Sequence, residues 1–425
     1  MKKNILVFPC GSEIGLDVYS SARYSTHFHL IGASSVDDHG VFVYEDYIPG
    51  LPFITDPGFI PTLKRIVQER RIDAIYPAMD AVITLLKKNE SELGCIIVSS
   101  PEETTEICLS KSKTYQVLSA HVRTPKQYSK DQADGFPLFV KPDIGYGSIG
   151  AMVVHDKDQL ATSLRSNPNL LILEYLPGEE FTVDCFTDRK GNLLYAAARK
   201  RNRIRNGISV NTSFAENQVC FQEFAEIINS RIAFRGAWFF QLKRDSSGEL
   251  CLLEVASRLG GSSLLSRAKG VNLTLMSLYD AFGIDVSVVL NDNYSVTLDR
   301  ALDCCYHCEG LDYDVVYVDY DDCLVLDKTR VNTQLVRFLF QCLNENKRII
   351  LLSKHSGDLD AELRHFRLDH IFDEVIHIPS SHHKIDYIAH PRAIFIDDSF
   401  SEREQIHRAL GLPVFSPDMI DVLNS

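Results

Sequence analysis

Pro137-Leu-Phe-Val-Lys141-Pro-Asp-Ile-Gly145-Tyr-Gly147-Ser148-Ile-Gly150 is the stretch on which the reading of the fold turns. An apolar run of strand length ends on a lysine. Glycines follow, where backbone can come close to phosphate oxygens. Cations and carboxylates recur on either side of it in an order that suits a nucleoside triphosphate. Lys113 opens the helix Ser112-Lys-Thr-Tyr-Gln-Val-Leu118. Glu254 and Arg258 close the series in Leu-Leu-Glu254-Val-Ala-Ser-Arg258. A triphosphate needs cations along its length, amide donors and a divalent ion held by carboxylate, and this series supplies all three.

The chain around this stretch has 425 residues, too many for one ordinary core, so several domains are expected. A hydrophobic share of 45% and a charged share of 24% describe a globular protein. The net charge of −13 argues against nucleic-acid or anionic-membrane partners, which require basic patches. No run reaches membrane-spanning length, and the N-terminus reads as a first strand rather than a signal peptide, so a cytoplasmic location is expected. The eleven cysteines are scattered and sit mostly in apolar runs, which suits buried, reduced thiols. In Cys304-Cys-Tyr-His-Cys308 the pair Cys305 and Cys308 has metal-like spacing with His307 between. No second ligand pair follows, so a linker strand with buried cysteines is the expectation there.

Residues 1–104 alternate short apolar runs with helical segments, which implies a parallel, doubly wound sheet. The turn from Gly11 to Gly15 lacks the G-x-G-x-x-G pattern. It suits either a tight strand-to-helix turn or a helix N-terminus receiving an anionic group. Residues 105–295 are richer in strands, an α+β layout. Residues 296–311 read as a linker, and residues 312–425 again alternate strand and helix. Between strands of the second block lies the basic segment from Arg199 to Gly207, with four arginines and one lysine. A phosphate- or carboxylate-binding loop and a solvated basic loop are both open for it.

Taken together, Ser112 to Leu118, Arg123-Thr-Pro125, Pro137 to Gly150, Leu173 to Asp184, Gln241, Glu254 and Arg258 resemble the ATP-grasp superfamily. The nearest branch is that of carbamoyl-phosphate synthetase and the amino-acid ligases. The resemblance covers roughly residues 1 to 290 and implies a Rossmann-like pre-ATP-grasp domain followed by an ATP-grasp domain. It implies ATP and Mg²⁺ as cofactors. Lys113 and Lys141 would meet the α- and β-phosphates, and the loop with Gly145, Gly147, Ser148 and Gly150 would close over them. Glu174, Tyr175 and Leu176 would form the adenine hinge, and Glu180 would hold the ribose. Gln241 and Glu254 would bind Mg²⁺, and Arg258 would steady the transferred phosphoryl group or a substrate carboxylate. The family usually reads Glu-x-Asn-Pro-Arg where this chain has Glu254-Val-Ala256-Ser257-Arg258. The amide that would be a further metal ligand is therefore missing.

The last block resembles a second family, the haloacid dehalogenase-like phosphatases. Its Val315-Val-Tyr-Val-Asp319-Tyr-Asp321 looks like the first motif, and Ile350-Leu-Leu-Ser353 looks like the second. Lys384 looks like the third, and Ile394-Phe-Ile-Asp397-Asp398 like the fourth. The resemblance implies a Rossmannoid domain in which Asp319 attacks phosphorus and Asp321 is the acid and base. Ser353 and Lys384 would bind phosphoryl oxygens, and Mg²⁺ would be held by Asp319, Asp321, Asp397 and Asp398. Only about thirty residues separate Asp321 from Ser353 and Ser353 from Lys384, too few for a large cap domain. An open site follows, with a bulky substrate or the neighbouring domain as its lid.

The expectation is a bifunctional enzyme. A carboxylate–amine ligase acting through an acyl phosphate is joined to a Mg²⁺-dependent phosphatase. Its partners are a small carboxylic acid and an amine, phosphorylated or not, and a homodimer is the assembly common among resembling enzymes. Two alternatives stand beside it: a non-catalytic nucleotide module regulating a phosphatase, and an ATP-grasp kinase that forms no amide.

Overall fold

The computed structural model describes residues 2–145, 147, 149–205, 207–291, 294–301, 306 and 310–423. The chain divides into two units, residues 1–302 and 303–425.

The first unit opens with a parallel sheet. Its strand order is Tyr47–Ile48, Phe28–Ala33, Lys3–Phe8, Ala74–Pro77, Ile96–Ile97. Along Lys3–Phe8, Ile5 and Val7 join one core cluster while Leu6 and Phe8 join another. The strand is covered on both faces, which is why it reads as an unbroken apolar run. The chain order reverses at Lys3–Phe8. The helices that follow the adjacent strands Lys3–Phe8 and Ala74–Pro77 are Glu13–Ala22 and Asp80–Lys88. Both begin at the carboxyl ends of the strands, the usual place for a ligand crevice in such sheets. The Gly11–Gly15 turn is tightly packed. A Cβ on Gly15 would stand 2.3 Å from the Cys10 carbonyl oxygen, and Ser12 Oγ caps the helix by accepting from Gly15 N at 3.1 Å.

Two antiparallel sheets follow. The smaller runs Gln127–Tyr128, Leu170–Glu174, Leu138–Pro142, Met152–Val154. The larger runs Leu250–Ala256, Gly236–Arg244, Glu180–Thr187, Leu193–Arg205, Ile208–Phe214, Thr297–Asp299. The basic segment expected as a loop is instead one arm of a hairpin, because Leu193–Arg205 continues through it and pairs with Ile208–Phe214. The two-residue period of a strand then turns Arg199 and Arg201 inward together, while Lys200 and Asn202 face out. Thr297–Asp299, within the stretch read as a linker, is the edge strand of the larger sheet.

The second unit is a parallel sheet, ordered Glu374–His377, Arg348–Ser353, Val315–Val318, Ala393–Ile396, Val414–Phe415. Val316 and Val318 pack into one cluster and Val315 and Tyr317 into another, so this strand too is buried on both faces. Between Asp321 and Ser353 lie the hairpin Val325–Leu326/Arg330–Val331 and the helix Thr333–Asn344. Between Ser353 and Lys384 lie the helix Leu359–His365 and the strand Glu374–His377. No inserted domain occurs there among the described residues. The eight described cysteines are free thiols, and Cys305, His307 and Cys308 lie outside the described residues. No helix among the described residues is long and apolar enough to cross a membrane.

Candidate functional site

A cavity of about 830 Å³ in the first unit is walled by both antiparallel sheets and, at one end, by the crevice of the parallel sheet. Lys141, the last but one residue of Leu138–Pro142, lies on its wall. Lys141 Nζ donates to the Leu253 carbonyl at 3.0 Å and sits 5.6 Å from the Tyr115 ring centre. Burial pushes its pKa down to about 8, against the opposing pull of Glu254. Phosphates bound beside this ammonium would raise that pKa again. Nucleotide binding is therefore expected to take up protons near and above pH 8 and to weaken as pH rises through that range. Calorimetry in buffers of different ionisation enthalpy measures this uptake, which Lys141→Met should remove.

Of the two lysines on the helix Lys111–Leu118, the cavity takes Lys111 rather than Lys113. Lys111 Nζ donates to the carbonyls of Asp143 and Gly145, each at 3.2 Å. Lys113 is more than half exposed and 3.7 Å from Glu106. Two residues along a helix are turned about 200° from each other, so only one can face the site. Buried Tyr115 lies four residues after Lys111 and shares its face, a periodicity that could have identified the right lysine. Asp143 fastens this helix to the glycine loop, accepting from Ser112 N at 2.7 Å and Ser110 Oγ at 2.8 Å. Burial works to raise its carboxyl, but these hydrogen bonds hold it below the usual range. In the loop, Gly145 and Gly147 line the cavity. Gly150 has φ +75° and folds back on Pro142, and Ser148 lies outside the described residues.

The carboxylates fall into two groups. Glu254 and Gln241 are cross-strand partners on the cavity wall. The Glu254 carboxylate has no ion-pair partner among the described residues, so it is available to a cation. One carboxylate, one amide oxygen and the phosphates of a nucleotide make a fitting set for one Mg²⁺. Ala256, two residues on and on the same face, offers no donor. Glu180, in contrast, is already engaged. Arg201 Nη1 pairs with it and also donates to Gln241 Oε1 at 3.3 Å, while Lys243 Nζ stands 3.7 Å from Glu180. The Glu180 carboxylate expected at a ribose thus meets a guanidinium first. Arg201 Nε is buried without a partner, a donor open to a ligand oxygen.

Arg258 lines the cavity and clamps Asp80, with Nε 2.9 Å from each carboxylate oxygen. Arg199 is held by Asp184, Nε to Oδ2 at 2.7 Å, with both side chains almost fully buried. Asp80, Lys111 and Lys243 were not singled out from the sequence as site residues, whereas Arg201 belongs to the basic segment for which an anion-binding reading was open. Glu174, Tyr175 and Leu176 also line the cavity. The Glu174 side chain is occupied by Arg123 Nη2 at 2.8 Å and Lys126 N at 3.1 Å.

In the second unit, Asp319 and Asp397 directly follow the neighbouring parallel strands Val315–Val318 and Ala393–Ile396, and Ser353 ends Arg348–Ser353 beside them. Lys384 Nζ stands 2.7 Å from Asp319 Oδ1 and 2.5 Å from Asp397 Oδ2, and all three side chains are at least nine-tenths buried. Carboxylate oxygens of Asp319, Asp397 and Asp398 lie within 4.8 Å of one another, a set that fits a hard divalent cation. Burial raises the Asp319 carboxyl although Lys384 opposes it, and burial together with the Asp319 charge raises Asp397. Burial alone would depress Lys384, but the two carboxylates raise it. Ser353 Oγ is buried beside this group without a well-formed hydrogen bond. Asp321 is the exception to the expected metal set. Its carboxylate stands outside the cluster, because the backbone turns at Asp322, with φ +51°, and Asp321 meets His355 instead.

Residues 166–300 match the family model described as "ATP-grasp in the biosynthetic pathway with Ter operon". The chain is 26% identical over 141 residues to a D-alanine–D-alanine ligase of Thermotoga maritima, covering 30% of this chain and 46% of that protein. It is 28% identical over 184 residues to an L-arginine-specific L-amino acid ligase of Bacillus subtilis, covering 38% and 43%. Both matches span less than half of the relative's length. Among solved structures, biotin carboxylase of Campylobacter jejuni superposes with a TM-score of 0.58 at 17% identity, over 68% of this chain and 72% of that one. At such identity the likeness is one of fold alone.

Proposed function

We propose that the first unit is an ATP-dependent carboxylate–amine ligase and that the second is a haloacid dehalogenase-like phosphatase. The ligase reading rests chiefly on one observation. A single cavity gathers Lys111, Lys141, Gln241 and Glu254 beside residues 174–176 and reaches at its far end the crevice of the parallel sheet. Nucleotide phosphates would lie along the lysines and Arg201, with adenine against the hinge. One Mg²⁺, held by Glu254 and Gln241, would neutralise phosphate charge. A carboxylate oxygen of the acid substrate attacks the γ-phosphorus and ADP leaves. The amine nitrogen then attacks the acyl carbon and phosphate leaves, giving the amide. Placement and charge neutralisation supply most of the rate.

In the second unit Asp319 attacks phosphorus while Asp321 protonates the departing oxygen. Asp321 then takes a proton from the water that cleaves the aspartyl phosphate. Ser353 and Lys384 hold phosphoryl oxygens, and a Mg²⁺ at Asp319, Asp397 and Asp398 would balance the charge that accumulates.

The test is an ADP-release screen of the purified protein with carboxylic acids and amines in pairs. Release that requires both partners supports the ligase. Release that requires only the acid favours a kinase, and nucleotide binding without any release favours a regulatory module.

A further inference from the structure

We propose that His355 is the positioning residue for the acid/base carboxylate of Asp321, an inference that rests on the phosphatase reading of the second unit. His355 follows Ser353 by two residues, just beyond the strand Arg348–Ser353. Its Nδ1 lies 3.0 Å and 3.1 Å from the two oxygens of Asp321. The two partners are unequally free: the His355 side chain is 9% exposed and that of Asp321 is 39% exposed. The ring is the fixed member. Tyr320 packs edge-on against it at 5.0 Å, and His377 Nε2 meets the His355 carbonyl at 2.6 Å. On its far side is Gly357, where a Cβ would stand 2.7 Å from His355 Nε2. The ring thus fills the room that the glycine leaves.

A half-exposed aspartate has free rotation unless something holds it. Asp321 has to meet the leaving oxygen in one step and the attacking water in the next, both beside Asp319. A carboxylate fixed by a locked donor does this without reorganising. Nδ1–H donating to one carboxyl oxygen of Asp321 supplies that donor and leaves the other oxygen to carry the proton, and no other described side chain hydrogen-bonds to Asp321.

The test uses the full chain with Mg²⁺ and two substrates of similar shape, p-nitrophenyl phosphate and phenyl phosphate. Proton donation matters more for the poorer phenoxide leaving group, whereas a general loss of structure affects both alike. His355→Phe keeps the packing against Tyr320 and removes the donor. It is expected to lower kcat/KM about 30-fold with phenyl phosphate and only about threefold with p-nitrophenyl phosphate, a fraction of what general acid catalysis contributes. His355→Asn, whose amide can stand near the Nδ1 position, should recover activity to within about threefold of the parent. In an Asp321→Asn background, His355→Phe should cost nothing further. Gly357→Ala pushes the ring while leaving Asp321 and His355 chemically intact, and should show the same substrate bias, more weakly. Equal losses on both substrates, no loss, or failure of the asparagine variant to recover would overturn the assignment. Hydrolysis that depends on Asp319 but ignores His355→Phe overturns this inference alone. Hydrolysis that does not depend on Asp319 removes the phosphatase reading and this inference together.

Discussion

Lys141→Met is expected to lower ATP turnover by about 10²–10³-fold, the scale of losing one preorganised charge at a reacting phosphate. The protein should stay folded. Leu253 O, the acceptor of Lys141 Nζ, also accepts from Tyr115 Oη at 2.6 Å, so the substitution leaves no orphaned carbonyl. Burying an ammonium carries a desolvation cost that the thioether does not, so thermal stability should be unchanged or raised. ADP release, read beside the melting temperature, separates loss of chemistry from loss of fold. The neighbouring helix provides an internal control. Lys111→Ala should weaken turnover about tenfold or more, as expected for one charge-assisted contact. Lys113→Ala, exposed and outside the cavity, should stay within about twofold. Full turnover by Lys141→Met would remove the ligase reading. Equal effects at Lys111 and Lys113 would contradict the assignment of Lys111 to the phosphates.

Asp319→Asn carries the second large effect. The amide cannot attack phosphorus, so Mg²⁺-dependent hydrolysis of p-nitrophenyl phosphate should fall by about 10⁴-fold or more, as when other covalent nucleophiles are deleted. Stability should not fall with it. Folding holds the Asp319 carboxyl above its usual range, so its charged form is unfavourable there, and the neutral amide leaves Lys384 paired with Asp397 at 2.5 Å. Chemical denaturation checks this, and ADP release by the first unit should persist. Retained hydrolysis would end the assignment of the second unit.

Much of this was legible along the chain. Lys3–Phe8 and Val315–Val318 read as strands because burial on both faces leaves no polar alternation. Strand-end residues such as Lys141, Asp319 and Asp397 could be picked out because an apolar run stopping on a charge marks where a parallel or hairpin strand leaves the core. The basic segment 199–207 reads as a loop between strands, anion-binding or solvated, because a run of charge carries no apolar alternation. Two of its arginines line the cavity instead, Arg199 held by Asp184 and Arg201 by Glu180, while Arg203 and Arg205 are exposed.

The sequence by itself determined the kinds of element, their order and the presence of two phosphate-suited sets of residues, since these follow from apolar periodicity and from which side chains end each run. Only the tertiary structure decided the pairings: Lys111 over Lys113, Arg258 on Asp80 across 178 positions of chain, and His355 against Asp321. Those depend on helix phase and on how separate elements pack. A charge commits to a partner when folding removes its water, and the partner is whichever opposite group the packing brings within reach.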